Sequence, residues 1–275
     1  MPSLAARCVK AVVLARGLGT RMRRGVPDLR VTAVQASMAD RGVKAMIAMA
    51  DGRPFLDYIL SGLADAGIAQ VGLVIGPEHD LVRERYTTDL VPRRVAVSFL
   101  TQSDPRGTAD AVLAAEPFAD GDSFLVVNGD NLYPLTALRA LLALSGPGLV
   151  GYHRESLVAK SNIGPERIGH FALVWKDRAG YLERIVEKPT PDQAIDGDLV
   201  SMNSWRFGPA IFTACRAIRP SIRGEFELQD AVTYAIANLG ERFRVVESTD
   251  GVLDLSSRAD IDVVARRLAG LPVSL

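Results

Sequence analysis

The segment LARGLGTR (14–21) places two glycines, a threonine and an arginine directly behind an apolar run, and residues of those types in that order suit phosphate. Gly17 and Gly19 lack the Cβ that limits backbone geometry and close approach, so successive N–H groups can converge on phosphate oxygens. Thr20 adds a hydroxyl, and Arg21 adds a planar charged fork that matches phosphate oxygens. Two familiar glycine motifs do not fit. There is no G-K-[S/T] ending, and Met22 stands where a dinucleotide fingerprint needs its third glycine. A lone G-x-G after a strand also serves a plain tight turn; the added Thr and Arg favour phosphate.

Other residues fit the same chemistry. Asp130, in VVNGDN, follows a strand and a glycine, the position at which the carboxyl end of a sheet strand opens into a cleft. A carboxylate there can hold Mg²⁺, which in turn bridges phosphates; an Asx turn around a solvated Asp is the plainer reading. Asp254 lies among apolar neighbours in GVLDL, so its carboxylate needs a metal, a basic partner or exposure. Lys188, in VEKP, is either a compact positive charge in a cleft or half of a surface pair with Glu187, and a regular strand sends the two to opposite faces. Lys44, in GVKAM, can approach phosphates from the side of the Arg-rich stretch before it. In QSDPRGTADA (102–111), Pro105 and Gly107 shape a turn, Thr108 is placed to cap the following helix, and Gln102 offers both donor and acceptor to a nucleobase edge. Gly107 leaves room for a base against its backbone.

The composition narrows the partners. Thirty-two basic residues balance thirty-two acidic ones, with no Lys/Arg block to follow a long polyanion, and aromatic residues are 6% of the chain, too few for base-stacking platforms. Nucleic acid is therefore not an expected partner. The two cysteines, Cys8 and Cys215, make no disulfide framework or C-x-x-C pair, which fits a reducing, cytoplasmic setting. No apolar stretch reaches transmembrane length, so no membrane partner is expected, and the run before Gly17 reads as a strand rather than a leader. His79, His153 and His170 are scattered without metal-ligand spacing.

These residues need a scaffold, and the hydrophobic pattern supplies one. Strands are predicted at 9–15, 71–76, 95–100, 124–130 and 148–152, alternating with helices at 55–67, 108–116 and 136–144. Residues 22–43 form a polar excursion. Beyond residue 152 the rhythm changes: two extended segments surround the DRAG turn within 170–188, and a strand follows at 199–207. Helices near 209–218 and 228–239, a strand at 243–247 and a helix at 257–269 complete the chain. The pattern predicts an α/β fold, a Rossmann-like doubly wound mixed sheet with an embedded β-rich lobe in its second half. With no linker or repeat, residues 1–275 read as a single domain.

Taken together, LARGLGTRM (14–22), VKAM (43–46), GRPFLDYILSGLADAGI (52–68), QSDPRGTADAV (102–112), NGDNL (128–132), VEKP (186–189), GEFELQDAV (224–232) and GVLDLSS (251–257) resemble the sugar-phosphate nucleotidyltransferases, also called nucleoside-diphosphate-sugar pyrophosphorylases. The stretches stand in the family's order and span nearly the whole chain. The resemblance implies Mg²⁺-dependent transfer of a nucleotidyl group from an NTP to a sugar-1-phosphate, with a homo-oligomer, dimer or tetramer, as the assembly. By position it implies that Ala15, Gly17, Gly19, Thr20 and Arg21 hold the triphosphate, that Lys44 assists there, and that Gln102, Gly107 and Thr108 meet the nucleoside. Asp130 and Asp254 would hold Mg²⁺, Lys188 the sugar phosphate, and Gly169, Glu187 and Asn203 the sugar. About 1–135 would then be mainly the NTP half and about 136–275 mainly the sugar-phosphate half, with the β-rich lobe as its sugar-binding part. The GDN sequence is closer to thymidylyl- and uridylyl-transferring members, which favours dTTP or UTP over GTP, ATP and CTP.

The chain departs from the family in two places: Arg16 replaces a usual Gly or Ala, and the stretch carrying Arg23, Arg24 and Arg30 separates Arg21 from Lys44. Other readings are a transferase acting on phosphocholine or another phosphomonoester, a non-catalytic regulatory subunit that binds sugar nucleotides, and a nicotinamide oxidoreductase. Met22 disfavours the last, and the presence of Asp130 and Lys188 disfavours the regulatory subunit.

Overall fold

The computed structural model describes residues 9–17, 22, 35, 38, 43–190 and 197–275. The apolar run after Val9 forms β1 (Lys10–Leu14). Its side chains alternate between two cores: Ala11 and Val13 join one apolar layer and Val12 the other. That alternation requires cover on both faces, which is the physical content of a doubly wound sheet. On the first face lies α1 (Phe55–Ala66), which buries Phe55, Leu56, Ile59, Leu60 and Leu63. Each such side chain contributes about 1.5–3 kcal/mol when fully buried. Gly67 ends the helix in the left-handed region at φ 103°.

The chain returns as β2 (Gln70–Ile75), parallel to β1, passes a short helix α2 (Asp80–Glu84) and forms β3 (Ala96–Thr101), parallel to β2. Helices α3 (Thr108–Leu113) and α4 (Glu116–Ala119) then carry it to the other side of β1, where β4 (Phe124–Asn128) pairs in parallel. This reversal of direction is the switch point at which open α/β sheets bind ligands. Beyond β4 come the two-residue β5 (Asn131–Leu132), α5 (Leu135–Ala143), β6 (Gly148–His153) and α6 (Arg154–Lys160).

The second half opens with a 3₁₀ turn at Pro165–His170 and the antiparallel pair β7 (Ala172–Lys176) and β8 (Leu182–Val186). The long β9 (Leu199–Phe207) runs antiparallel between β4 and β6 and also pairs with β7. The predicted β-rich lobe is therefore an extension of the central sheet, not a separate layer. After α7 (Ala210–Ala217) and α8 (Leu228–Leu239), β10 (Arg244–Ser248) joins β6 in parallel, β11 (Leu253–Asp254) pairs with β5, and α9 (Arg258–Leu268) closes the chain with a Ser257/Asp260 capping box.

An aromatic cluster lies under this half: Trp205 stacks on Phe207, Phe124 on Phe212, and Phe243 meets both Trp205 and Phe207 edge-on. Arg206 is buried and donates to the carbonyls of Leu142, at 3.0 Å, and Leu144, so a cation caps the carboxyl end of α5. Predicted elements of more than five residues all appear with small boundary shifts, except that 108–116 divides into α3 and α4. Patterning missed α2, α6 and the β5–β11 pair.

Candidate active site

A cleft of about 360 Å³ opens at the switch point. Its walls come from the end of β1 (Leu14 to Gly17), from Lys44 and Ala45, from the 102–111 segment and from Asn128, Gly129 and Asp130 behind β4. Gly129 earns its place sterically, because a Cβ there would stand 3.0–3.1 Å from the Leu14 carbonyl and from Ala15, while its N–H bonds the Leu14 carbonyl at 2.9 Å. The ends of β1 and β4 can thus lie side by side. Among the described residues, nothing lies within 4 Å of a Cβ built on Gly17. Gly19, Thr20 and Arg21 lie outside the described residues.

Asp130 and Asp254 are distant in sequence, and the β5–β11 ladder draws them together. Asp254 pairs with Asn131, and the Leu255 N–H bonds the Asp130 carbonyl at 2.8 Å. Asp130 accepts from Lys44 Nζ at 3.0 Å. Asp254 is 1% exposed and resolves its burial with a basic partner: Arg167 meets its Oδ2, while Asn131 Nδ2 (2.9 Å) and Ser256 Oγ (2.8 Å) donate to its Oδ1. Burial first, and the Asp130 charge second, push the Asp254 carboxyl up to about 6, with Arg167 opposing them. A carboxylate on the cleft wall with a second one beside it offers hard oxygen donors that fit a divalent cation, which also takes phosphate and water oxygens. Among the described residues no cluster of three or more His, Cys, Asp or Glu side chains could hold a metal.

At the other end of the cleft, Gln102 is 5% exposed and donates through Nε2 to the Gly107 carbonyl (3.1 Å) and to Asp110 (2.8 Å). That commits its donor and leaves Oε1 as the group with capacity for a nucleobase N–H. Arg16 lies against this wall, 8% exposed, donating to the Gln102 carbonyl and, at 3.4 Å, to Glu78. Gly107 has φ 124°, and a Cβ there would sit 2.5 Å from the Phe226 carbonyl oxygen. The protein itself requires this glycine, because the 106–109 turn is zipped to residues 226–228. Phe226 N–H bonds the Arg106 carbonyl at 2.8 Å, Ala109 N–H the Phe226 carbonyl at 2.9 Å, and Leu228 N–H the Thr108 hydroxyl at 3.0 Å. The predicted cap is corrected here: Thr108 serves the start of α8, and Gly107 occupies the N-cap position of α3.

The residues expected to meet a sugar phosphate divide. Glu187, Asn203 and Gln229 come together, with Gln229 Nε2 3.1 Å from both Glu187 Oε2 and Asn203 Oδ1. Burial raises the Glu187 carboxyl to about 7. Asn203 (φ 56°) and Lys188 (φ 46°) both hold the left-handed conformation. The expectation of a regular strand through Glu187 and Lys188 is corrected, since β8 stops at Val186 and the chain turns there. Such backbone costs of order 1–3 kcal/mol per residue and clusters at functional sites. Gly169 is exposed in the 3₁₀ turn, and among the described residues nothing lies within 4 Å of a Cβ built on it.

Sequence reasoning missed four residues. Arg223 pairs with Glu227 at 2.6 Å, and its charge reaches Glu187. Gln229 organises Glu187 and Asn203, and Arg167 and Asn131 hold Asp254. Arg223 and Gln229 border or lie within GEFELQDAV, a stretch visible in the sequence as a block without roles for its members.

Comparison with known proteins agrees with this architecture. A solved UDP-glucose pyrophosphorylase complexed with UDP-glucose covers 95% of this chain and 98% of its own at TM-score 0.76 and 17% identity. An inositol-1-phosphate CTP transferase from T. maritima covers 96% of each chain at 0.72 and 18%. Both share the fold. Among curated proteins, a UTP–glucose-1-phosphate uridylyltransferase of Haloferax volcanii is 26% identical over 94% of this chain and 96% of its own length. A glucose-1-phosphate thymidylyltransferase of Streptomyces antibioticus is 32% identical over 84% of this chain and 58% of its own, so the chain spans little over half of that relative. The nucleotidyl transferase family model matches residues 10–251, from β1 to the approach to β11, and on that match the chain belongs to the nucleotidyl transferase family.

Proposed function

We propose that this enzyme transfers a nucleotidyl group from UTP or dTTP to a sugar-1-phosphate, giving a nucleoside-diphosphate sugar and pyrophosphate. One observation supports the reading: Asp130 lines a switch-point cleft whose wall also holds Gln102, and the β5–β11 ladder sets Asp254 beside it. Glucose-1-phosphate is the first acceptor to test, because the names of the uridylyl- and thymidylyl-transferring relatives specify it.

The chemistry asks for position more than for proton transfer. A phosphate oxygen of the acceptor is anionic near neutral pH; it forms the new O–P bond at the α-phosphorus as the bond to the β-phosphate oxygen breaks, and pyrophosphate leaves with the electron pair. Asp130 and Asp254 would hold Mg²⁺, which when bound offsets charge on the phosphates. Backbone around Gly17 lines the phosphate side, Lys44 lies beside it, and Gln102 Oε1 accepts from the base. Lys188 and Arg223 supply cations for the acceptor phosphate, and Glu187, Asn203 and Gln229 supply hydroxyl partners.

Five NTPs crossed with a panel of sugar-1-phosphates, read by pyrophosphate release, test the reading. Activity is expected with UTP or dTTP and glucose-1-phosphate, Mg²⁺-dependent and reduced about 100-fold or more in Asp130→Asn. Near-wild-type turnover in a folded Asp130→Asn enzyme would remove the metal assignment. Silence across the panel would shift the acceptor to another phosphomonoester.

A further inference from the structure

We propose that Arg167 is the resident counter-ion of Asp254, and that a divalent cation entering beside Asp130 and Asp254 must displace it toward Asp260. This rests on the metal assignment made above and concerns what the chain does when no metal is present.

Asp254 does not need Arg167 for orientation. Its Oδ1 is fixed by Asn131 and Ser256, and its backbone exchanges two hydrogen bonds with the Asn162 side chain, at 2.7 and 2.8 Å. What those neutral partners leave unmet is charge, on a carboxylate that is 1% exposed and feels a second aspartate. Oδ2 carries that charge to the guanidinium of Arg167. Lys44 does the same for Asp130. Each aspartate therefore has a cation of its own, which offsets the cost of burying two like charges together.

Arg167 is also built to let go. Its other nitrogen, Nη1, lies 2.6 Å from Asp260 Oδ1. Asp260 is anchored independently, its Oδ2 accepting from the Ser257 N–H and hydroxyl, both at 2.8 Å. A guanidinium shared by two carboxylates can give up one and keep the other, so its charge stays partnered as Asp254 turns to a metal. The consequence is a raised threshold: without nucleotide the enzyme binds a divalent cation weakly, because the cation competes with an arginine.

Mn²⁺ alone, followed by electron paramagnetic resonance on the full chain without nucleotide, reads this directly. Arg167→Met is expected to bind Mn²⁺ at least about fivefold tighter than wild type, and Arg167→Lys close to wild type, because the effect is one of charge. Asp260→Asn, which leaves Arg167 a single carboxylate, is expected to weaken Mn²⁺ binding and supplies the test if Arg167→Met does not fold. Equal or weaker binding in folded Arg167→Met, or unchanged binding in Asp260→Asn, would overturn the proposal. Asp130→Asn separates the two levels. If it fails to weaken Mn²⁺ binding the metal assignment itself falls, whereas if it weakens binding while Arg167→Met does not tighten it, only the counter-ion role is lost.

Discussion

Glu187 shows how one side chain ties the site to the stability of the fold. Burial lifts its carboxyl from 4.5 to about 7, so the folded chain holds a proton that the unfolded chain releases at lower pH. The sign follows: the stabilising contribution is complete below about pH 4.5 and is lost as pH rises through about 7. Glu187→Gln keeps an amide in the same space and titrates nowhere in that window. Wild type should therefore lose about 3 kcal/mol relative to Glu187→Gln between pH 4.5 and 7.5, measured as urea midpoints at each pH. Asp254, also shifted upward, is present in both proteins and cancels in the difference. Parallel stability curves would place Glu187 in water rather than under Gln229.

At the scale of elements, the 106–109 turn and the 226–228 segment behave as one unit, and two substitutions probe the join. Gly107→Ala must resolve a Cβ 2.5–2.9 Å from Phe226 backbone atoms at a φ of 124°, so it should cost about 2–4 kcal/mol and raise KM for the nucleotide. Thr108→Val removes only the acceptor for Leu228 N–H and should cost about 1 kcal/mol. Denaturant titration orders the two, and a Gly107→Ala loss no larger than that of Thr108→Val would mean that the turn is free of α8. This join explains what the sequence could and could not disclose. The periodicity of α1 and α8 and the apolar runs of β1 and β4 are local, and they were legible. Thr108 reads in the sequence as the cap of the helix that follows it, but its hydroxyl serves Leu228 N–H, in a segment more than a hundred residues away. The β5–β11 pair is two residues long and has no period to detect, yet it is what brings Asp254 to Asp130.

For the whole molecule, the site belongs to neither half of the chain. Leu14 to Gly17, Lys44, Gln102, Gly107, Thr108 and Asn128 to Asp130 line the cleft proposed for the nucleotide, while Glu187, Asn203, Arg223 and Gln229 form the group proposed for the acceptor, and α8 touches both through Thr108 and Gln229. A ligand that binds only the cleft should therefore quieten more than the cleft. Hydrogen exchange measures this, because backbone amides exchange through local opening whose free energy a bound ligand raises. With UTP alone at about 100 times its Kd, exchange should slow by up to about 2.7 kcal/mol in 102–110 and also at Phe226 and Leu228, whose amides are bonded to that turn. Residues 181–188 should slow only once the nucleoside-diphosphate sugar is bound, since no bond in the 106–109 join reaches them directly. Protection confined to 102–110 with UTP would show that the join opens independently of the cleft, and Thr108→Val should reproduce that pattern if its hydroxyl is the link.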